Sequence, residues 1–189
     1  MRDEEALEWR AHAHVDKWDA EQVAWALRTT GASRLSGDEL MTLVEPSETA
    51  DSAGNLLLTA GLNRLTSLLI GGGGQAITNT SARLGVGDSV TAEAVGQTDL
   101  QAAAGSTHRW FQVMDATYPS QADGVVTLKS TFGTTDGNFV WAEWGIDVAA
   151  PVVASGNTVA ALLFNRKVYA LGTKAAGSIW TLTATVTIS

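Results

Sequence analysis

Two periodicities divide the chain. From Asp3 to about Thr30 there is no Gly or Pro, and Leu7, Ala11, Val15, Trp18, Gln22 and Trp25 recur at three- and four-residue spacing, the interval at which one face of an α-helix returns. The pattern predicts a single amphipathic helix, with Asp3, Glu4 and Glu5 at its positive end, Arg28 near its negative end and Gly31 as its stop. Ser36-Gly37-Asp38-Glu39 reads as a capping box opening a short second helix through about Val44, which Pro46 closes. Residues 45–54 are small and polar and read as a linker. From Asn55 to Ile70 the apolar positions again fit a helix, with Leu58, Leu62, Leu65 and Leu69 on one stripe and Leu57 and Leu68 beside it. Such a helix is expected to be buried over most of its surface. Gly71 to Gly74 end it.

Beyond the glycines the period becomes two. Trp180, Leu182, Ala184, Val186 and Ile188 alternate with Thr181, Thr183, Thr185 and Thr187, which predicts a strand with one apolar and one hydroxyl-bearing face. Val126, Leu128, Ser130 and Phe132 alternate with Thr127, Lys129 and Thr131, and Phe139 to Trp144 has strand composition. Further strands are expected at Ala82 to Val86, Arg109 to Asp115 and Val159 to Phe164, with turns at Asp123-Gly124, Asp136-Gly137 and Gly156-Asn157. The expected fold class is α+β: a helical N-terminal arm over residues 1–50, then a predominantly β, sandwich-like domain over residues 51–189 with one buried helix.

Composition narrows the chemistry. Charged residues are only 17% of the 189, below the usual quarter, and the deficit suits a β surface or one covered by partners. There is no cysteine, hence no disulfide, thiolate metal site or Cys nucleophile. The net charge of −8 argues against nucleic acid and anionic membranes as partners. Residues 1–50 hold 11 acidic and 5 basic side chains, and the remainder 9 and 7, so an acidic arm on a nearly neutral body is expected to face different surroundings. No apolar run reaches the length of a membrane helix, and the acidic start does not suit a secretory signal, so synthesis in a cytoplasm is expected.

Candidate chemistry is sparse. The Gly71–Gly74 run follows a helix and lacks the Gly-Lys-Ser/Thr ending of a phosphate loop, so it reads as a connector. On a helix, His12 and His14 would point in different directions, and the spacing of His12 and Asp16 reads as a solvated face; no metal is expected. His108 has no nucleophile elbow beside it. Glu143 with Asp147 or Asp136 would supply the two carboxylates of a glycosidase if they converged, but a satisfied carboxylate beside a buried or interface Trp is preferred. Trp110, Trp141 and Trp144 stay open between core, subunit interface and sugar platform, in that order, whereas the alternation assigns Trp180 to the core. Trp9, Trp18 and Trp25 on the first helix suggest docking on another protein. These six tryptophans, Trp9, Trp18, Trp25, Trp110, Trp141 and Trp144, are the candidate interface residues; no catalytic residue, cofactor or metal is assigned.

A set of motifs in order adds a resemblance. Gly54-Asn55-Leu56-Leu57, Gly61-Leu62-Asn63-Arg64-Leu65, Leu84-Gly85-Val86-Gly87-Asp88-Ser89, Gln97-Thr98-Asp99-Leu100, Phe139 to Ile146, Phe164-Asn165-Arg166-Lys167, Leu171-Gly172-Thr173-Lys174 and Trp180-Thr181-Leu182-Thr183 together resemble structural proteins encoded in the virion gene modules of tailed bacteriophages, notably those of actinobacterial hosts. The order of a helix, a Val-Gly strand, a Glu-x-Gly-Ile strand, an Asn-Arg segment and a Thr-rich last strand is similar to the N-terminal domains of phage tail-collar fibre proteins. The resemblance covers Gly54 to Ser189 and leaves residues 1–50 outside. It implies a non-enzymatic virion component, expected as a capsid decoration or accessory protein because no shaft or receptor-binding tip follows the β domain. A neck, tail or collar-fibre accessory is the first alternative, and a carbohydrate-binding module or wall hydrolase the next. The implied partners are a major capsid, neck or tail protein and further copies of the chain, with a trimer expected first and a host-surface glycan less favoured.

Overall fold

The computed structural model describes residues 9–148, 155–158 and 161–188. In chain order these form β1 (Trp9–Trp18), α1 (Ala20–Thr30), α2 (Gly37–Leu43), β2 (Glu48–Ala53), β3 (Leu56–Leu57), α3 (Thr59–Leu69), β4 (Ala82–Gly87), β5 (Arg109–Val113), β6 (Ser120–Ala122), β7 (Val125–Phe132), β8 (Val140–Val148), β9 (Leu163–Thr173) and β10 (Ile179–Ile188). The strands make two antiparallel five-stranded sheets, ordered β2-β1-β10-β7-β6 and β3-β9-β8-β4-β5. The expected α+β class with a mostly β body is what the chain adopts.

The two sheets share one core. Ala11, Ala13 and Val15 of β1, Leu128 and Phe132 of β7 and Leu182, Ala184 and Val186 of β10 meet Leu84 and Val86 of β4, Trp144 and Ile146 of β8 and Phe164 of β9. Each set occupies alternate positions of its strand, as a half-buried sheet requires. Burying these side chains is the main favourable term in folding, at about 1.5–3 kcal/mol for each large one. Asp123 and Gly124, both at positive φ (49° and 78°), form the two-residue turn that joins β6 to β7, a geometry for which Asp-Gly is suited.

Residues 9–30 correct the first expectation. Instead of one helix they form a strand and then a helix; Leu7 and the start of the expected helix lie outside the described residues. Ala11, Val15 and Trp18 fit a helical stripe, but Ala11, Ala13 and Val15 also fit period two, and tertiary pairing decides between them. β1 is bonded on both sides, to β10 from Trp9↔Ile188 to Trp18↔Ile179 and to β2 from His12↔Ala53 to Lys17↔Glu48. The break falls at Asp19, whose side chain accepts from Gln22 N at 2.8 Å while Gln22 Oε1 accepts from Asp19 N at 3.1 Å. This reciprocal cap starts α1, and Gly31 at φ 70° ends it. α2 begins on the expected Ser36 cap.

The linker expected over residues 45–54 contains β2, so residue 50 lies inside an edge strand. Its sequence, Glu-Thr-Ala-Asp-Ser-Ala, has little β propensity and buries only Ser52; main-chain pairing to β1 makes it a strand. The third helix starts later than expected, at Thr59, and Gly61 is its only buried residue. A Cβ at Gly61 would lie 2.2 Å from the Phe164 carbonyl oxygen, so the first turn of α3 rests backbone to backbone on β9. Because the sheets cover each other, the rest of α3 is exposed or half-buried, with Leu65 packed against the main core. The strand expected at Val159 to Phe164 is β9, which begins at Leu163; Val159 lies outside the described residues.

Candidate functional site

β8 presents Trp144, Ile146 and Val148 to the core and Glu143, Gly145 and Asp147 to the opposite face. On that face the Glu143 carboxylate receives Arg166 Nε at 2.5 Å, Ala102 N at 2.8 Å and Gln101 N at 3.2 Å. Arg166 donates onward from Nη1 to Gln97 Oε1 at 3.0 Å and from Nη2 to the Thr91 carbonyl at 2.9 Å. The pair therefore fastens the long segment between β4 and β5 onto the sheet. Small residues make this approach possible: a Cβ on Gly87 would lie 2.5 Å from Glu143 Oε1, and one on Gly85 equally close to the Phe111 ring.

Asp147 is held similarly. Arg83 donates to it from Nε at 2.7 Å and also from Nη2, and Leu162 N donates to Oδ1 at 2.5 Å. Burial pushes the Asp147 carboxyl above its ordinary 3.8 despite the Arg83 charge. Asp136 sits in the β7–β8 turn and accepts from Gly133 N at 3.0 Å. Each carboxylate considered for glycoside chemistry is thus engaged by its own partners, and Glu143 and Asp147 are fully buried. Arg83 and Arg166 were not assigned these roles from sequence. For Arg83 the available signal was its place between the apolar Ala82 and Leu84; Arg166, between Asn165 and Lys167, carried no such signal.

The six candidate tryptophans separate by burial. Trp18, Trp141 and Trp144 are fully buried and cannot line a surface. Trp18 packs with Val23, Ala26, Leu35, Leu40 and Ile179 in a second small core, and its Nε1 donates to the Val44 carbonyl at 2.8 Å. Trp141 and Trp144, three apart, would face opposite ways on a regular strand, yet both join the main core; the register of β8 against β9 shifts between Trp141 and Glu143. Trp9 and Trp110 are half-buried, with Nε1 donating to Asn55 Oδ1 at 3.1 Å and Gln112 Oε1 at 2.8 Å. Trp25 is exposed, at 43%. The structure does not bring the six together.

Among the described residues, aliphatic side chains supply most of the exposed large apolar groups, with Trp25, Met41 and Tyr169 besides. On α3, Leu62 and Leu69 are 47% and 77% exposed and stand two turns apart on one face; Ile70, at 84%, follows them. Thr59 N donates to the Val95 carbonyl at 2.8 Å, which places the exposed Val95 beside the first turn of the same helix. Leu57 and Leu65 pack against the main core instead.

The outer face of the first sheet carries a polar group. Because residues 9–18 form a strand, His12, His14 and Asp16 share a face, contrary to the divergence expected on a helix. Asp51 of β2 stands opposite His14. His14 Nδ1 lies 2.9 Å from Asp51 Oδ1 and His14 Nε2 lies 3.1 Å from Asp16 Oδ1; His12 Nε2 lies 3.2 Å from the same Asp51 oxygen. Threonines of β10 continue this face, and α2 covers one end of it, where Gly37 N donates to Thr131 Oγ1 at 2.9 Å. His108 lies elsewhere, its Nδ1 2.6 Å from Asp88 Oδ2. Among the described residues, no group of three or more His, Cys, Asp or Glu is arranged to hold a metal ion, and no helix is long and apolar enough to cross a membrane.

No protein-family model matches the chain, and no curated protein or solved structure matches it.

Proposed function

We propose that the chain is a non-enzymatic structural protein of a tailed-phage particle, a capsid decoration or accessory protein that docks through α3. The observation that carries this reading is the apolar face of Leu62, Leu69 and Ile70, with the exposed Val95 at the start of the same helix, set on a β body whose sheets already bury each other. Exposed apolar groups gathered on one element mark a contact surface more often than chance exposure does. The ordered motifs that resemble virion proteins supply the class of partner, another protein of the particle. The ion pairs at Glu143 and Asp147 favour assembly over acid–base chemistry, because both carboxylates are committed to holding loops. Residues 9–18, expected as part of a docking helix, are not the proposed anchor, since they form β1 within the first sheet.

The test is co-sedimentation of the full chain with shells and with tails of the parent phage, separately. Saturable binding to shells that is lost in the Leu69→Asp/Ile70→Asp variant is the expected result, while binding to tails alone moves the assignment to a tail or neck accessory. Binding to neither overturns the reading.

A further inference from the structure

The geometry points to His14 as a protonation-dependent clasp that fastens the edge strand β2 to β1. A neutral imidazole carries one N–H donor and one lone pair, whereas a carboxylate only accepts. His14 has a carboxylate oxygen at hydrogen-bond distance from each ring nitrogen, Asp51 at 2.9 Å and Asp16 at 3.1 Å. Only the imidazolium donates to both. Loss of the proton turns one of these contacts into a lone pair facing an anion, and the cross-strand link to Asp51 weakens.

The location gives this contact weight. β2 is outermost in its sheet and buries a single side chain, Ser52, whose Oγ accepts from Trp144 Nε1 at 3.3 Å. Beyond the main-chain ladder, it is held at one end by Lys17 Nζ on Glu48 Oε1 at 2.5 Å and at its centre by the histidine–aspartate group. Edge elements with few buried contacts open at low free-energy cost, so a modest change in one contact shifts the population of open β2. Opening uncovers the main-chain edge of β1, a surface on which another strand can pair.

The charges around His14 come from each neighbouring strand. On β1 they are His12 and Asp16, and on β2 Asp51. β10 contributes no titratable group and sets Thr183 opposite. Lys129 of β7 lies opposite Thr183 and is paired with Asp38. Partial burial opposes the charged imidazole, but the hydrogen bonds to Asp51 and Asp16 and their charges outweigh it, so His14 is held above its ordinary 6.5. The hydrogen bond from His14 holds Asp51 below its ordinary 3.8. A raised His value contributes stability that is complete below 6.5 and disappears as pH rises through the folded-state value; a lowered Asp value contributes stability that disappears as pH falls through it. The clasp is therefore closed between these limits and opens on the alkaline side.

Amide hydrogen exchange of β2 and NMR titration of the His14 ring, on the full chain between about pH 5.5 and about pH 8, test this. After correction for intrinsic exchange, β2 protection is expected to fall roughly fivefold through the His14 titration. Asp51→Asn is expected to lower the His14 midpoint and His14→Gln to abolish the pH dependence, both with the fold retained because these side chains are partly exposed. A His14 midpoint at or below 6.5, or a fall of equal size in His14→Gln, overturns the proposal.

Discussion

Arg166 and Glu143 form an ion pair from which solvent is wholly excluded, with Arg166 Nε 2.5 Å from Glu143 Oε2. Removing one partner of such a pair leaves an uncompensated buried charge, at a cost of about 3–5 kcal/mol, whereas replacing both by apolar residues is often nearly neutral. Glu143→Ala is expected to lose that much in urea unfolding and Glu143→Leu/Arg166→Met considerably less. Because Gln101 N and Ala102 N also lose their acceptor, limited proteolysis is expected to cut between β4 and β5 in both variants. Equal stability of wild type and Glu143→Ala would show that the pair does not hold this face.

Burial predicts a sharp contrast between two tryptophans that the sequence placed in one group. Trp144→Ala opens a large cavity between the sheets and strands the Ser52 hydroxyl, at about 3–5 kcal/mol. Trp25→Ala, on an exposed helix face, is expected to change stability by no more than about 0.5 kcal/mol. Chemical denaturation of the two variants checks this, and similar losses would contradict the assigned burial.

The strands with clean alternation were legible because a period of two has one interpretation when a polar partner fills every other position; β10 and β7 are examples. The alternation Ala11, Ala13, Val15 was masked by a compatible stripe of Ala11, Val15 and Trp18, and the Asp19–Gln22 cap marked the break. β2 carried almost no local signal, since its strand state comes from the edge of β1. For α3, the leucine pattern gave the helix but not its exposure, which depends on where the sandwich leaves room. The histidine–aspartate group became visible only once β1 was a strand, because two-residue spacing reverses meaning between helix and sheet. The buried arginine–carboxylate pairs depend on registers between β4, β8 and β9 that no single segment encodes.

Placing β1 between β2 and β10 makes a prediction opposite to that of a detachable arm. A chain lacking residues 1–50 loses β1, half of β2 and the Trp18 core, and exposes the full edge of β10. It is expected to lose the cooperative thermal transition and to aggregate, since a long unpaired edge templates association. Circular dichroism and gel filtration decide the matter. A monomeric shortened chain with the wild-type transition would mean that β1 is dispensable.

Lys174 predicts how stability responds above neutral pH. Its side chain is buried, and Nζ donates to the Gly133 carbonyl and Asn138 Oδ1, each at 2.7 Å, and to the Ser178 carbonyl at 3.0 Å. Desolvation lowers its pKa from 10.5 to about 8, with only the charge of Asp136 opposing. Between these values the unfolded chain holds a proton that the folded chain has released, so this group makes stability rise with pH across that window, by an amount on the order of 3 kcal/mol. Below about 8 both states are protonated and the slope vanishes. Lys174→Met is expected to be less stable at neutral pH, because three acceptors lose their donor, yet to lack the alkaline rise. Urea midpoints of the two proteins should therefore diverge from about pH 7.5 to about pH 10. The sign follows from the linkage: wild type gains with pH and the variant does not, so the gap must widen. Parallel curves would show that Lys174 titrates at its ordinary value despite its burial.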